Sequence, residues 1–147
     1  MLVHVDDIQT DLAIDADRVA PIAEAVLELE GGRADELSVQ FADPATCSKI
    51  HELYFNDPSI TDCMSFPLDP ADAEYRVLGD VVVCPKVAID YCRENGGDPH
   101  EEATLYLVHG ILHLLGYNDI EETDRTTMRQ AEERQMNHLR THNLLLS

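Results

Sequence analysis

Hydrophobic and polar positions alternate along Leu2-Val3-His4-Val5-Asp6, the pattern of a half-buried strand. From Asp15 or Ala16 to about Leu29 the period changes. Val19, Ile22, Ala23, Val26 and Leu29 recur at three- and four-residue steps, which predicts a helix stopped by Gly31-Gly32. Glu36 to Phe41 alternates again, with Leu37, Val39 and Phe41 on one face. Asp43-Pro44-Ala45-Thr46 supplies a turn and an N-cap for a short helix through about Phe55. Thr61 to Pro67 reads as a brief strand closed by proline, and the acidic stretch Leu68 to Arg76 as an irregular surface loop. Gly79-Asp80-Val81-Val82-Val83-Cys84-Pro85 is β-branched enough for a buried strand, and Pro85 suits the first turn of a helix to about Glu94. Gly96-Gly97-Asp98 breaks that helix. Pro99 opens another, which ends at Gly116. A last, highly charged helix spans Glu121 to about Leu139, with Met128 and Met136 among its few apolar positions and its acidic residues assigned to solvent. Asn143 to Ser147 reads as a frayed end.

This order of elements predicts an α+β (mixed α/β) fold: one domain over residues 1–147, with a central four-stranded mixed sheet and about five helices. A chain of 147 residues, 44% of them hydrophobic, buries about two-thirds of its unfolded surface and should fold unaided. Neither a signal peptide nor an apolar run of membrane-spanning length is legible, so a cytoplasmic location is expected. Cys47, Cys63, Cys84 and Cys92 lack any Cys-x-x-Cys spacing and are expected to be buried free thiols.

The chemistry concentrates in His109-Gly110-Ile111-Leu112-His113-Leu114-Leu115-Gly116-Tyr117-Asn118-Asp119. Two histidines four residues apart share one helical face, so both imidazoles can reach one cation. Gly116 supplies a left-handed stop. The chain then turns back, and Asp119 can swing toward the same point. Two imidazoles and a carboxylate leave one coordination position for water, the arrangement of a catalytic rather than a structural ion. A zinc protease of the His-Glu-x-x-His kind would carry its general base where this chain has Gly110, so a metal hydrolase other than a peptidase is expected.

Charge changes the picture. Asp and Glu number 29 against 10 Lys and Arg, a formal net charge of −19. Such a chain repels polyanions at long range, and any phosphate must be held locally.

Three blocks together resemble the YbeY family of bacterial rRNA maturation endoribonucleases: Thr61-Asp62-Cys63-Met64-Ser65-Phe66-Pro67, Leu78-Gly79-Asp80-Val81-Val82-Val83-Cys84-Pro85, and His109 through Tyr117. The resemblance implies cleavage of single-stranded RNA, work on small-subunit rRNA ends and ribosome quality control, and one divalent ion, with zinc favoured. It implies ribosomal RNA and ribosomal proteins as partners, with neither membrane nor DNA.

The family has Asp-His after Gly-Tyr, and that His is its third ligand. Here an ungapped match puts Asp119 at that place, whereas Asn118 read as an insertion would put Ile120 there, which cannot bind. The family also places an Arg facing the cleft shortly before the first block, where His51 to Asp57 contains no Arg or Lys. The expected ligands are therefore His109, His113 and Asp119, with water on the ion as the reactive group and no protein base assigned. Ser65 and Asp80 are expected to line the cleft, and Lys86 and Arg76 are the candidate phosphate-binding cations. The alternative expectation is a ribosome-associated module of the same fold that has lost turnover.

Overall fold

The computed structural model describes residues 1–147. Four strands, β1 (Leu2–Asp7), β2 (Glu36–Phe41), β3 (Cys63–Pro67) and β4 (Val77–Val83), form one sheet in the order β1-β2-β4-β3. β1, β2 and β4 run parallel, and β3 closes the edge antiparallel to β4. Five helices complete the domain: α1 (Val19–Glu30), α2 (Pro44–Phe55), α3 (Pro85–Asn95), α4 (Pro99–Leu114) and α5 (Glu122–Thr141). The expected α+β class, four-stranded mixed sheet and five helices are all present, and no helix is long and apolar enough to cross a membrane.

Helix starts follow local chemistry. Asp43 accepts from the Thr46 amide at 2.7 Å and Asp98 from the His100 amide at 3.1 Å, each one residue before a proline that needs no donor. The first helix differs in detail from its predicted form. Asp15 caps a single 3-10 turn, Ala16–Arg18, and regular α-helix begins only at Val19.

The sheet has two unequal faces. Leu37, Val39 and Phe41 of β2 and Leu78, Val81 and Val83 of β4 join the main core with α1, α4 and α5. On the other face Met64, Val82, Cys84, Ala42 and Cys47 form a smaller cluster under α2. β4 is thus buried on both sides, which is why it reads as an unbroken Val run rather than an alternation. α2 leaves much of that second face open.

The C-terminus departs from expectation. Rather than fraying, Leu146 is buried, its amide bonds the Thr104 hydroxyl at 3.0 Å, and the Ser147 carbonyl accepts from the Asp15 amide at 2.7 Å. An apolar side chain with a core pocket and a hydroxyl to satisfy its backbone outweighs the entropy of a free end.

Candidate metal centre

α4 lies against β3 and β4 at close range. A Cβ on Gly110 would stand 2.6 Å from Val81 Cγ1 and 2.8 Å from Cys63 Sγ, so only glycine lets the helix reach this depth. Position 110 therefore faces the sheet, where no side chain, and so no protease-type base, can stand. Its neighbour His109, and His113 one turn on, are carried to the lip of a cleft at the start of β3.

The Nδ1 atom of each imidazole has a fixed acceptor. His109 Nδ1–H donates to Glu132 Oε1 on α5 at 2.5 Å, and His113 Nδ1–H donates to the Tyr117 carbonyl at 3.0 Å. Both protons being placed on Nδ1, both Nε2 lone pairs are left free. The two Nε2 atoms point at one another across 2.9 Å. Asp119 Oδ2 is 3.8 Å from the first and 3.6 Å from the second. Ligand atoms around a tetrahedral zinc stand roughly 3.3–3.6 Å apart; these separations straddle that range, and the three atoms lie close enough together to share one ion. Ile120 is 77% exposed and faces away into solvent. The geometry of the turn therefore places Asp119, not Ile120, beside the histidines.

The turn itself is braced. Gly116 has φ +108, and Tyr117 sends its hydroxyl to Glu30 Oε1 at 2.6 Å. Glu30 also accepts from Gln135 Nε2 at 2.6 Å and from Arg134 at 3.1 Å. This joins the end of α1, the turn and α5, and so holds the carbonyl that orients His113. Burial raises the Glu30 carboxyl, but the hydrogen bonds from Tyr117, Gln135 and Arg134 and the Arg134 charge outweigh it, and its pKa lies below the ordinary value.

Burial disfavours a charged His109, yet the Glu132 hydrogen bond and the charges of Glu132, Asp62 and Asp119 prevail and raise its pKa. The surroundings thus favour positive charge at this point, which a cation supplies directly. Cys63, at the cleft wall, has its thiol pushed well above its ordinary pKa by burial and by Asp62, so it is a neutral wall group rather than a thiolate ligand.

The cleft has a volume of about 340 Å³ and is lined also by His51, Phe55, Thr61, Met64 and Ser65. Of the expected substrate residues, Ser65 lies in it. Asp80 instead faces a groove on the opposite side of the sheet. Arg76 stands at the far end of β4, 7% exposed, with Nη1 donating to the Arg33 carbonyl at 2.9 Å; it is a backbone brace, not a phosphate ligand. Lys86 pairs with Asp90 at 3.1 Å one turn along α3 and does not line the cleft. No Lys or Arg does.

Its setting in a charged helix predicts a solvated Glu132; instead the side chain is 19% exposed and bonded to His109. No spacing in the sequence links positions 109 and 132. The four cysteines are free; Cys47, Cys84 and Cys92 are buried as expected, whereas Cys63 is half-buried at the cleft wall.

A small α+β domain with a two-histidine, one-carboxylate site beside a helix–glycine turn is the class that fold and site define. A sequence profile described as Endoribonuclease YbeY matches residues 4–140. A protein named Endoribonuclease YbeY from Protochlamydia amoebophila is 43% identical, aligned over 95% of this chain and 94% of its own. One of the same name from Chlamydia trachomatis is 32% identical over 98% of this chain and 91% of its own. The chain belongs to the YbeY family. The solution structure of TM1509 from Thermotoga maritima shares the fold, with a TM-score of 0.65 at 18% identity, covering 97% of this chain and 95% of that one.

Proposed function

We propose that this protein is a metal-dependent endoribonuclease that cuts single-stranded RNA, with small-subunit rRNA as substrate, the ribosome and its proteins as partners, and the cytoplasm as its location. What carries the reading is the convergence of His109 Nε2, His113 Nε2 and Asp119 Oδ2 at an open cleft, with both Nδ1 atoms tied behind them. Zinc is the ion the donor set suits best. When bound by His109, His113 and Asp119, a divalent ion would supply Lewis-acid chemistry toward water and a phosphoryl oxygen. The protein's own part is to orient the two imidazoles through Glu132 and Tyr117, to keep Cys63 neutral, and to offer the Ser65 and Thr61 hydroxyls to substrate from the cleft wall.

Cleavage of a single-stranded oligoribonucleotide by the metal-loaded protein tests this. His109→Ala should lose cleavage by two orders of magnitude or more, and elemental analysis should find about one ion per chain in the parent and little in Asp119→Ala. A second reading, a ribosome-associated module without turnover, is favoured by one observation: no cationic side chain lines the cleft. Preorganised charge of that kind is often worth a factor of about 10² in rate. Equal RNA stability with parent and His109→Ala would select that reading.

A further inference from the structure

Three aromatic side chains stand where a phosphate-binding surface would be expected. Phe55, 50% exposed at the end of α2, lines the metal cleft, and Tyr54, 64% exposed, lines the groove on the open face of the sheet. Phe66 of β3 lies between them, its ring centroid 5.8 Å from Phe55 and 5.0 Å from Tyr54. His51 continues the row into the cleft, 5.2 Å from Phe55. The groove has a volume of about 680 Å³, and the row of rings runs from its lining residues Tyr54 and Phe66 to Phe55 in the cleft. Two of the chain's three phenylalanines are here, one of them half in water on a helix whose turn could have been polar.

We propose that Phe55, Phe66 and Tyr54 form a base-stacking platform that guides the unpaired nucleobases of an RNA strand from the open sheet groove to the His109–His113–Asp119 centre. The inference rests on the endoribonuclease reading for its ligand. Charge selects the occupant's mode of binding. The cleft and the groove carry Asp6, Asp62, Asp80 and Asp119 and no Lys or Arg, so the sugar–phosphate backbone finds no cationic rail. Stacking on a ring face needs none, because every base has a π-face. Only unpaired bases can expose such faces, so the platform admits single strands and rejects duplexes. The tilts between the rings, 57° and 33°, suit splayed bases rather than one continuous stack.

The test is fluorescence anisotropy of the metal-loaded protein with a labelled 2′-O-methyl single-stranded oligonucleotide, whose integrity is checked by gel. Phe55→Ala and Tyr54→Ala should each bind about tenfold more weakly with unchanged circular dichroism, since both side chains are largely exposed. Phe55→Tyr should retain binding, and Phe55→Leu should behave as Phe55→Ala. An oligonucleotide with abasic residues should lose affinity, and the salt slope should correspond to roughly two phosphate contacts or fewer.

The platform is overturned if Phe55→Ala or Phe55→Leu binds as the parent does, if the parent binds no single strand, or if the slope is steep. It is equally overturned if sedimentation shows a dimer that Phe55→Ala dissolves without change in RNA affinity, which would make the row a contact between copies. Cleavage is scored separately. Ring-dependent binding without cleavage would sink the nuclease reading and leave the platform standing; cleavage with ring-independent binding would do the reverse.

Discussion

At the scale of single residues, the Nδ1 atoms decide what the two imidazoles can do. An unanchored histidine samples both tautomers and several ring orientations, and a metal pays for fixing them. Glu132 removes that cost for His109 by accepting its Nδ1–H at 2.5 Å and adding negative charge behind the ring. Glu132→Ala should therefore weaken zinc binding about 10- to 100-fold in competition with a chromophoric chelator, while far-UV circular dichroism is unchanged. Glu132→Gln keeps an acceptor and removes the charge, so it should fall between parent and alanine variant. Equal affinity in all three would make the Glu132 contact incidental. The contrast with the ligands explains what a sequence reveals at this scale. His109, His113 and Asp119 sit within eleven residues, where helical period and a glycine turn dictate their approach. Glu132 comes from another helix, and only packing brings it near. Arg76 shows the converse: a cation near a motif in sequence stands at the opposite end of β4 in space.

At the scale of elements, the site depends on a joint between α1, the Gly116–Tyr117 turn and α5, and Glu30 is its centre. With its side chain 8% exposed, it gathers Tyr117, Gln135 and Arg134. Its folded pKa is lowered, and the unfolded value of a glutamate is about 4.3. The stability it contributes is therefore complete above the unfolded value and is lost as pH falls through the lowered folded one. Glu30→Gln should cost about 2 kcal/mol in urea unfolding near pH 7. The gap between parent and variant should narrow as the pH drops below about 4, and a gap constant down to pH 3 would refute the assignment. Period and caps made most elements legible, including Glu36–Phe41 at its observed bounds and the Asp43-capped helix at its observed end, Phe55. What they missed follows from tertiary contacts: Val77 and Leu78 are drawn into β4 by the pairing of Val77 with Glu36 and by their carbonyls accepting from the Asp69 and Leu68 amides, and Leu146 is captured by the core.

At the scale of the molecule, most of the 10 Lys and Arg are engaged in holding the chain together. Arg18 donates to the carbonyls of Asn143 and Leu145, Arg76 to that of Arg33, Arg134 to Glu30, and Arg140 to Glu101. Lys86 and Arg93 meet Asp90. A net charge of −19 therefore remains spread over the surface with little to offset it, and the folded state gathers that charge more densely than the unfolded chain does. Screening should relieve the repulsion. Raising NaCl from about 0.02 to 0.5 M shortens the Debye length from roughly 20 Å to 4 Å. If about 1 kcal/mol is recovered, the Tm of the metal-free protein should rise by about 2–4 °C for a domain of this size. The chelated form is the one to measure, because a site ion would add its own stabilisation by mass action. A Tm that falls with salt would mean that the ion pairs at Glu30, Glu101 and Asp90 outweigh the general repulsion. The same charge balance bears on RNA: a steeply salt-weakened complex would require a cationic surface, and neither the cleft nor the groove presents a Lys or Arg.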